Sequence, residues 1–195
     1  MKKIGWKGLG IREAAAAVCA HLHARGIEAS LVGGACVSIY SDNAYESFDL
    51  DFVSHEPHKR IGAVLAEIGF KSTGGRHFDH PDCRYYAEFV APPISIGEEL
   101  IRKLKRLETP YGFLTLLTPT DCVKDRLAAF VHWKDTQALE QAVLVALGNR
   151  IEMTKVKTWA IKEGGKAGYD RFVVELARRR VKRAKAGKIR KQSSK

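Results

Sequence analysis

Apolar residues recur at helical spacing between positions 10 and 25, with Ile11, Ala15, Val18, Cys19 and Leu22 on one face. Gly26 is placed to end that helix, since a left-handed closing residue costs least when it is glycine. Glu28 to Val32 reads as a short strand, Gly33-Gly34 as a turn, and Ala35 to Tyr40 as a helix. Phe48 to Val53 alternates apolar and acidic residues, the period of a half-buried strand. Pro57 opens another helix, which reaches about Ile68 and is closed by Gly69. Phe70 to Ser72 and Cys83 to Val90 read as strands separated by a polar loop, Thr73 to Asp82. A hairpin is expected around Thr109-Pro110-Tyr111-Gly112.

The period changes at Thr118. A threonine at the cap, Pro119 at the first helical position and Asp121 at the third form a helix-start signal. Helices are predicted at about 119–133, 136–148, 152–163 and 168–186. The expected fold is therefore α/β (α+β): a small mixed sheet with flanking helices over residues 1–117, then a helical region over 118–177.

Charge adds a third segment to this picture. Residues 1–150 hold 18 basic and 18 acidic side chains, while residues 151–195 hold 15 basic and 4 acidic. The whole net charge of +11 thus lies in the last 45 residues. Residues 178–195 carry ten basic side chains and no acidic one, so a disordered tail is expected there, suited to a polyanion such as RNA.

Composition removes several classes. No apolar run approaches the roughly 20 residues of a membrane helix, so no membrane partner is expected. The N-terminal segment lacks the apolar stretch of a signal peptide. Cys19, Cys36, Cys83 and Cys122 are scattered without a CxxC pair, which excludes a zinc ribbon and fits reduced, buried thiols in a cytoplasmic protein. Trp6, Trp133 and Trp159 read as core anchors. Arg76-His77-Phe78-Asp79-His80-Pro81-Asp82 contains metal-ligand residue types, but no second cluster stands at zinc spacing.

The chemistry concentrates between Leu31 and Val53. Glycines at a strand-to-helix turn let backbone N–H groups approach a phosphate, although plain turns use Gly-Gly as well. Asp49 and Asp51 follow on one strand at i and i+2, so both carboxylates face the same side about 7 Å apart. Two such charges repel by roughly 2 kcal/mol at an effective dielectric near 20. A divalent cation would offset that repulsion, and Mg²⁺ suits carboxylate oxygens.

Gly-Gly, a short helix and Asp-x-Asp on the next strand resemble the polymerase-beta-type nucleotidyltransferase superfamily. The likeness is nearest to small bacterial nucleotidyltransferases of the abortive-infection toxin type. Thr118-Pro-Thr-Asp-Cys-Val-Lys-Asp-Arg-Leu-Ala-Ala-Phe130 with Lys134-Asp135 resembles their helical motif, and the likeness spans about residues 28 to 145. It implies a catalytic and metal set of Asp49, Asp51 and a third carboxylate, for which Glu88 is the candidate. It also implies nucleotide contacts from Gly33, Gly34, Ser38, Lys124, Arg126 and Lys134. Many relatives have an arginine near the position where Tyr45-Glu46-Ser47 stands here.

The resemblance implies Mg²⁺, or Mn²⁺ in its place, and a nucleoside triphosphate as substrate. The acceptor hydroxyl would belong to RNA, with tRNA among the candidates, and an antitoxin protein would be a partner. Two other readings stay open: a non-catalytic nucleic-acid-binding module on the same fold, and a protein-modifying nucleotidyltransferase.

Overall fold

The computed structural model describes residues 4–192, and the side chains of residues 4–186. The chain divides into two compact units, Met1–Thr118 and Pro119–Lys195.

The first unit runs α1 (Ile11–His23), β1 (Ser30–Leu31), α2 (Gly33–Tyr40), β2 (Asp49–Val53) and α3 (His58–Ala66). It continues with β3 (Lys71–Gly74), β4 (His77–Asp79), β5 (Tyr86–Val90), β6 (Ser95–Ile96), β7 (Glu99–Leu100), β8 (Leu104–Thr109) and β9 (Gly112–Leu117). Seven strands form one sheet in the order β3-β4-β5-β2-β1-β9-β8, and β6 pairs with β7 separately. The sheet is mixed: β2 runs parallel to β5 and β1 to β9, while β1 and β2 are antiparallel.

Alternation along the strands separates the two faces. Leu50 and Phe52 of β2, Ala87 and Phe89 of β5, and Phe78 of β4 are buried. Their rings make up the core: Phe52 stacks on Phe89 at 5.5 Å, and Phe78 meets Phe89 edge-on at 5.8 Å. Ala14 to Ala17 of α1 are all buried, because small side chains let a helix approach a sheet closely. Asp49, Asp51, Tyr86 and Glu88 alternate with these apolar residues and are half-buried on the other face.

Two expectations change in this unit. The polar loop from Thr73 to Asp82 contains a strand, since β3 and β4 form a hairpin that extends the sheet from β5. Only Phe78 of β4 is buried, so three residues offer too little alternation to mark a strand in the sequence. The helix after the Gly-Gly turn begins at Gly33 itself rather than at Ala35. The hairpin at Thr109 forms as expected, with Thr109 paired to Gly112.

The second unit is helical: α4 (Pro119–Trp133), α5 (Thr136–Gly148), α6 (Met153–Lys162) and α7 (Lys166–Gln192). Asp135 caps α5 by accepting the N–H groups of Gln137 at 2.9 Å and Ala138 at 3.3 Å. Val123, Leu127, Ala142, Val145, Val156, Trp159 and Phe172 are buried in this unit. Trp159 is thus a core anchor, as is Trp6 in the first unit, but Trp133 is 81% exposed. Trp133 ends α4, just before Lys134 takes a left-handed conformation with φ 56.

α7 runs past the 168–186 expected for it and is helical from Lys166 to Gln192. The start of its basic run is neutralised locally. Glu175 accepts from Arg178 at 2.8 Å and from Arg179 at 3.0 Å. These bonds hold the Glu175 carboxyl down at about 2. Arg179 also reaches Glu140 at 2.7 Å, and Arg183 donates to the Leu147 carbonyl at 3.3 Å. Those contacts tie the helix to α5. No helix among the described residues is long and apolar enough to cross a membrane.

Candidate active site

The turn from β1 into α2 is built by backbone. Val32 N–H donates to the Asp51 carbonyl at 2.8 Å, which ties the turn to β2. Gly33 then takes φ 66, a conformation costly for any residue with a Cβ. A Cβ at Gly33 would collide with the Asp51 carboxylate, and one at Gly34 would stand 3.1 Å from Ser47 Oγ. The two glycines therefore bring backbone against the acidic strand, and the N-terminus of α2 carries no side-chain cap.

Each carboxylate has a distinct setting. Ser47 Oγ donates to Asp49 Oδ1 in a short hydrogen bond, and Ser47 N–H donates to Ser38 Oγ at 2.9 Å. Ser38 is buried and also donates to the Gly34 carbonyl at 3.5 Å. Its hydroxyl thus acts inside the fold, fixing the loop that holds Asp49. Asp51 lies over Gly33. Glu88 stands directly opposite Asp51 in the parallel register of β2 and β5. Its Oε1 is 3.0 Å from Arg76 Nη2.

Tyr86 completes this face as the register partner of Asp49. Burial pushes its phenol above the ordinary tyrosine value, and the charges of Asp49, Asp51, Glu88 and Asp79 push it further the same way. Its ring also lies 5.7 Å from that of His77. The sequence marks Arg76 only as part of the polar Arg76–Asp82 segment and gives Ser47 and Tyr86 no role in the site. Ser47 carried a signal in its position two residues before Asp49, whereas Arg76 and Tyr86 become legible only once the strand order is known.

Among the described residues, no three His, Cys, Asp or Glu side chains converge closely enough to hold a metal ion. The donor set of Asp49, Asp51 and Glu88 is nonetheless all carboxylate oxygen, on neighbouring strands in register, and suits a hard cation by type. Each has its own neighbour: Ser47 engages Asp49, Asp51 lies against Gly33, and Arg76 engages Glu88.

The remaining candidates belong to the helical unit. Lys124 is buried and pairs with Asp121 Oδ1 at 3.2 Å. Arg126 donates to Asp125 Oδ2 at 2.9 Å and to Gln141 Oε1 at 3.2 Å. Lys134 is exposed in the turn between α4 and α5. A cavity of about 960 Å³ also lies in the first unit, lined by Trp6, His21, Arg25, Glu67, Ile68 and His80. It contains none of the carboxylates of β2 and β5.

The sequence matches no protein-family model. No curated protein is similar to it. The structure resembles that of an antigenic nucleotidyltransferase-like protein from Paracoccidioides brasiliensis, with TM-score 0.52 and 15% identity over 68% of this chain and 74% of that one. The solution structure of the antibiotic-resistance factor ANT(2'')-Ia aligns with TM-score 0.47 and 13% identity, over 84% of this chain and 93% of the other. The mixed sheet with flanking helices, followed by helices, is thus a nucleotidyltransferase-like α/β fold. At this identity the likeness is one of fold.

Proposed function

We propose that the protein is a nucleotidyltransferase, moving a nucleoside monophosphate from a nucleoside triphosphate to an acceptor hydroxyl with release of pyrophosphate. The observation that carries this reading is the packing of Asp51 against Gly33, with Glu88 opposite Asp51 on the adjacent strand. It joins a turn able to approach a triphosphate to three carboxylates able to hold Mg²⁺, or Mn²⁺.

Asp49, Asp51 and Glu88 would hold the metal, which when bound supplies positive charge to the α-phosphate and to the leaving pyrophosphate. Ser47 orients Asp49, and Ser38 orients Ser47. The N–H groups at the start of α2, which has no side-chain cap, would face the triphosphate, with the helix dipole adding positive potential. Lys124, Arg126 and Lys134 are proposed as further triphosphate contacts from the helical motif.

RNA is the proposed acceptor, with tRNA among the candidates, because the excess positive charge is confined to residues 151–195. The likeness of Thr118–Asp135 to abortive-infection nucleotidyltransferases supports a toxin activity restrained by an antitoxin protein. Three buried cysteines outside any disulfide support work in the cytoplasm. The test is incubation of the purified protein with total RNA, Mg²⁺ and each α-labelled triphosphate. Label on a discrete RNA species supports the proposal. Salt-sensitive RNA binding without transfer would leave a binding module, and label on protein would move the acceptor to a polypeptide hydroxyl.

A further inference from the structure

The carboxylate face receives a cation from outside its own strands. Glu88 Oε1 lies 3.0 Å from Arg76 Nη2, and its other oxygen lies 3.9 Å from His77 Nε2. The Glu88 side chain is 16% exposed and that of Arg76 is 57% exposed. The anion is therefore set in the sheet, while the guanidinium has solvent to move into. Its backbone has no such freedom, because the Arg76 carbonyl accepts the Phe89 N–H at 3.1 Å and His77 is the register partner of Glu88. Gly74 and Gly75 precede it with φ 121 and 57, and with open space where their side chains would stand. The turn delivers one arginine to Glu88 from a backbone fixed to the sheet.

We infer that Arg76 is the counter-ion of Glu88 in the metal-free protein, displaced when a divalent cation binds, and that it then receives a phosphate of the acceptor. This rests on the proposed nucleotidyl transfer. Glu88 Oε1 cannot serve a guanidinium and a metal equally well, so the two cations compete for it. The strand order then decides which substrate the released arginine meets. Gly33 meets Asp51 from the β1 side of β2, whereas Glu88 and Arg76 lie on the β5 and β4 side. Attacking and leaving oxygens are roughly in line across the phosphorus. A triphosphate held at Gly33-Gly34 therefore leaves the Arg76 flank to the acceptor. A guanidinium presents paired donors that match a phosphate, so this flank selects an acceptor bearing phosphate, such as RNA, over a neutral one.

The experiment compares wild type, Arg76→Ala and Arg76→Lys. Mg²⁺ alone is titrated into nucleotide-free protein by calorimetry, and KM is then measured for RNA and for the triphosphate. In Arg76→Ala the Mg²⁺ Kd should fall by about two- to fivefold, the effect expected of removing an exposed ion pair that competes with it. The KM for RNA should rise severalfold while that for the triphosphate stays constant, and Arg76→Lys should lie between. Equal or weaker Mg²⁺ binding in Arg76→Ala overturns the counter-ion role, and an unchanged KM for RNA overturns the acceptor role. Should Arg76→Ala fail to fold, Mg²⁺ added to wild type must still shift the Arg76 Nε–H resonance, and no shift overturns the inference. Asp49→Asn separates the two levels: if it binds Mg²⁺ as wild type does, the nucleotidyltransferase reading itself has failed.

Discussion

Asp51 occupies the space that a side chain on Gly33 would need. The two residues are eighteen positions apart and meet because β1 and β2 pair antiparallel, with Leu31 opposite Phe52. Gly33 is thereby constrained twice, by φ 66 and by the carboxylate above it. Gly33→Ala should cost at least about 1–2 kcal/mol from the left-handed backbone alone. It should also displace Asp51 and so remove transfer activity. In an Asp51→Ala background the same substitution should cost less, with a coupling of about 0.5–3 kcal/mol. Urea melts of the four proteins measure this, and additive effects would show that the contact carries no energy.

The elements that could be read in the sequence are those with a long period or a strong boundary. α4 and α5 span the residues expected, since Thr118-Pro119 and Asp135 mark their starts. The Asp49–Asp51 alternation on β2 likewise follows from a period of two. What stayed hidden depends on pairing between distant segments. β4 exists because β5 offers it an edge, and no residue within His77–Asp79 announces that. Ser38 illustrates the same limit: its helix was predicted, but its hydrogen bond to Ser47 depends on how the following loop folds back. The helix predicted at 168–186 does form, but its pairing of Arg179 with Glu140 depends on how α7 meets α5.

Asp49→Asn should abolish transfer, lowering the rate by at least about a hundredfold, while the protein stays folded. The pair of like charges repels in the metal-free protein, so the variant should melt within about 1 kcal/mol of wild type, or slightly above it. Addition of Mg²⁺ and triphosphate should raise the melting temperature of wild type and leave that of Asp49→Asn unmoved. Equal ligand-induced shifts in both would remove Asp49 from the metal site.

Tyr86 supplies a reading of the site that needs no turnover. Burial and four nearby carboxylates raise its pKa above the ordinary value of 10, so the phenol stays neutral where a free tyrosine begins to ionise. The folded protein holds this proton more tightly than the unfolded chain does. Stability from Tyr86 is therefore present below the ordinary value and lost as pH rises through the raised one. Mg²⁺ at the carboxylates should lower the Tyr86 pKa, by offsetting the charges of Asp49, Asp51 and Glu88. Ultraviolet difference titration against Tyr86→Phe, with and without Mg²⁺, isolates the group. An unchanged or raised value on adding Mg²⁺ would place the metal elsewhere.

The basic end of the chain should govern RNA affinity through salt. Removing residues 188–195 deletes four of the ten basic side chains beyond position 177 and leaves the Arg179–Glu140 pair intact. If those four meet phosphates of single-stranded RNA, the slope of log K against log salt should become shallower by about 3. The KM for the triphosphate should not change. Identical slopes for full-length and shortened protein would make this segment solvated charge without a ligand.

The proposed role of the carboxylates of β2 and β5 is to direct attack on the α-phosphorus. Parallel reactions with α-labelled and γ-labelled triphosphate, Mg²⁺ and total RNA test it in wild type and in Asp51→Asn. The account predicts α-label bound to RNA, γ-label released as pyrophosphate in equal amount, and neither product from Asp51→Asn. Label from the γ-position on the acceptor, or α-label transferred equally by Asp51→Asn, would contradict it.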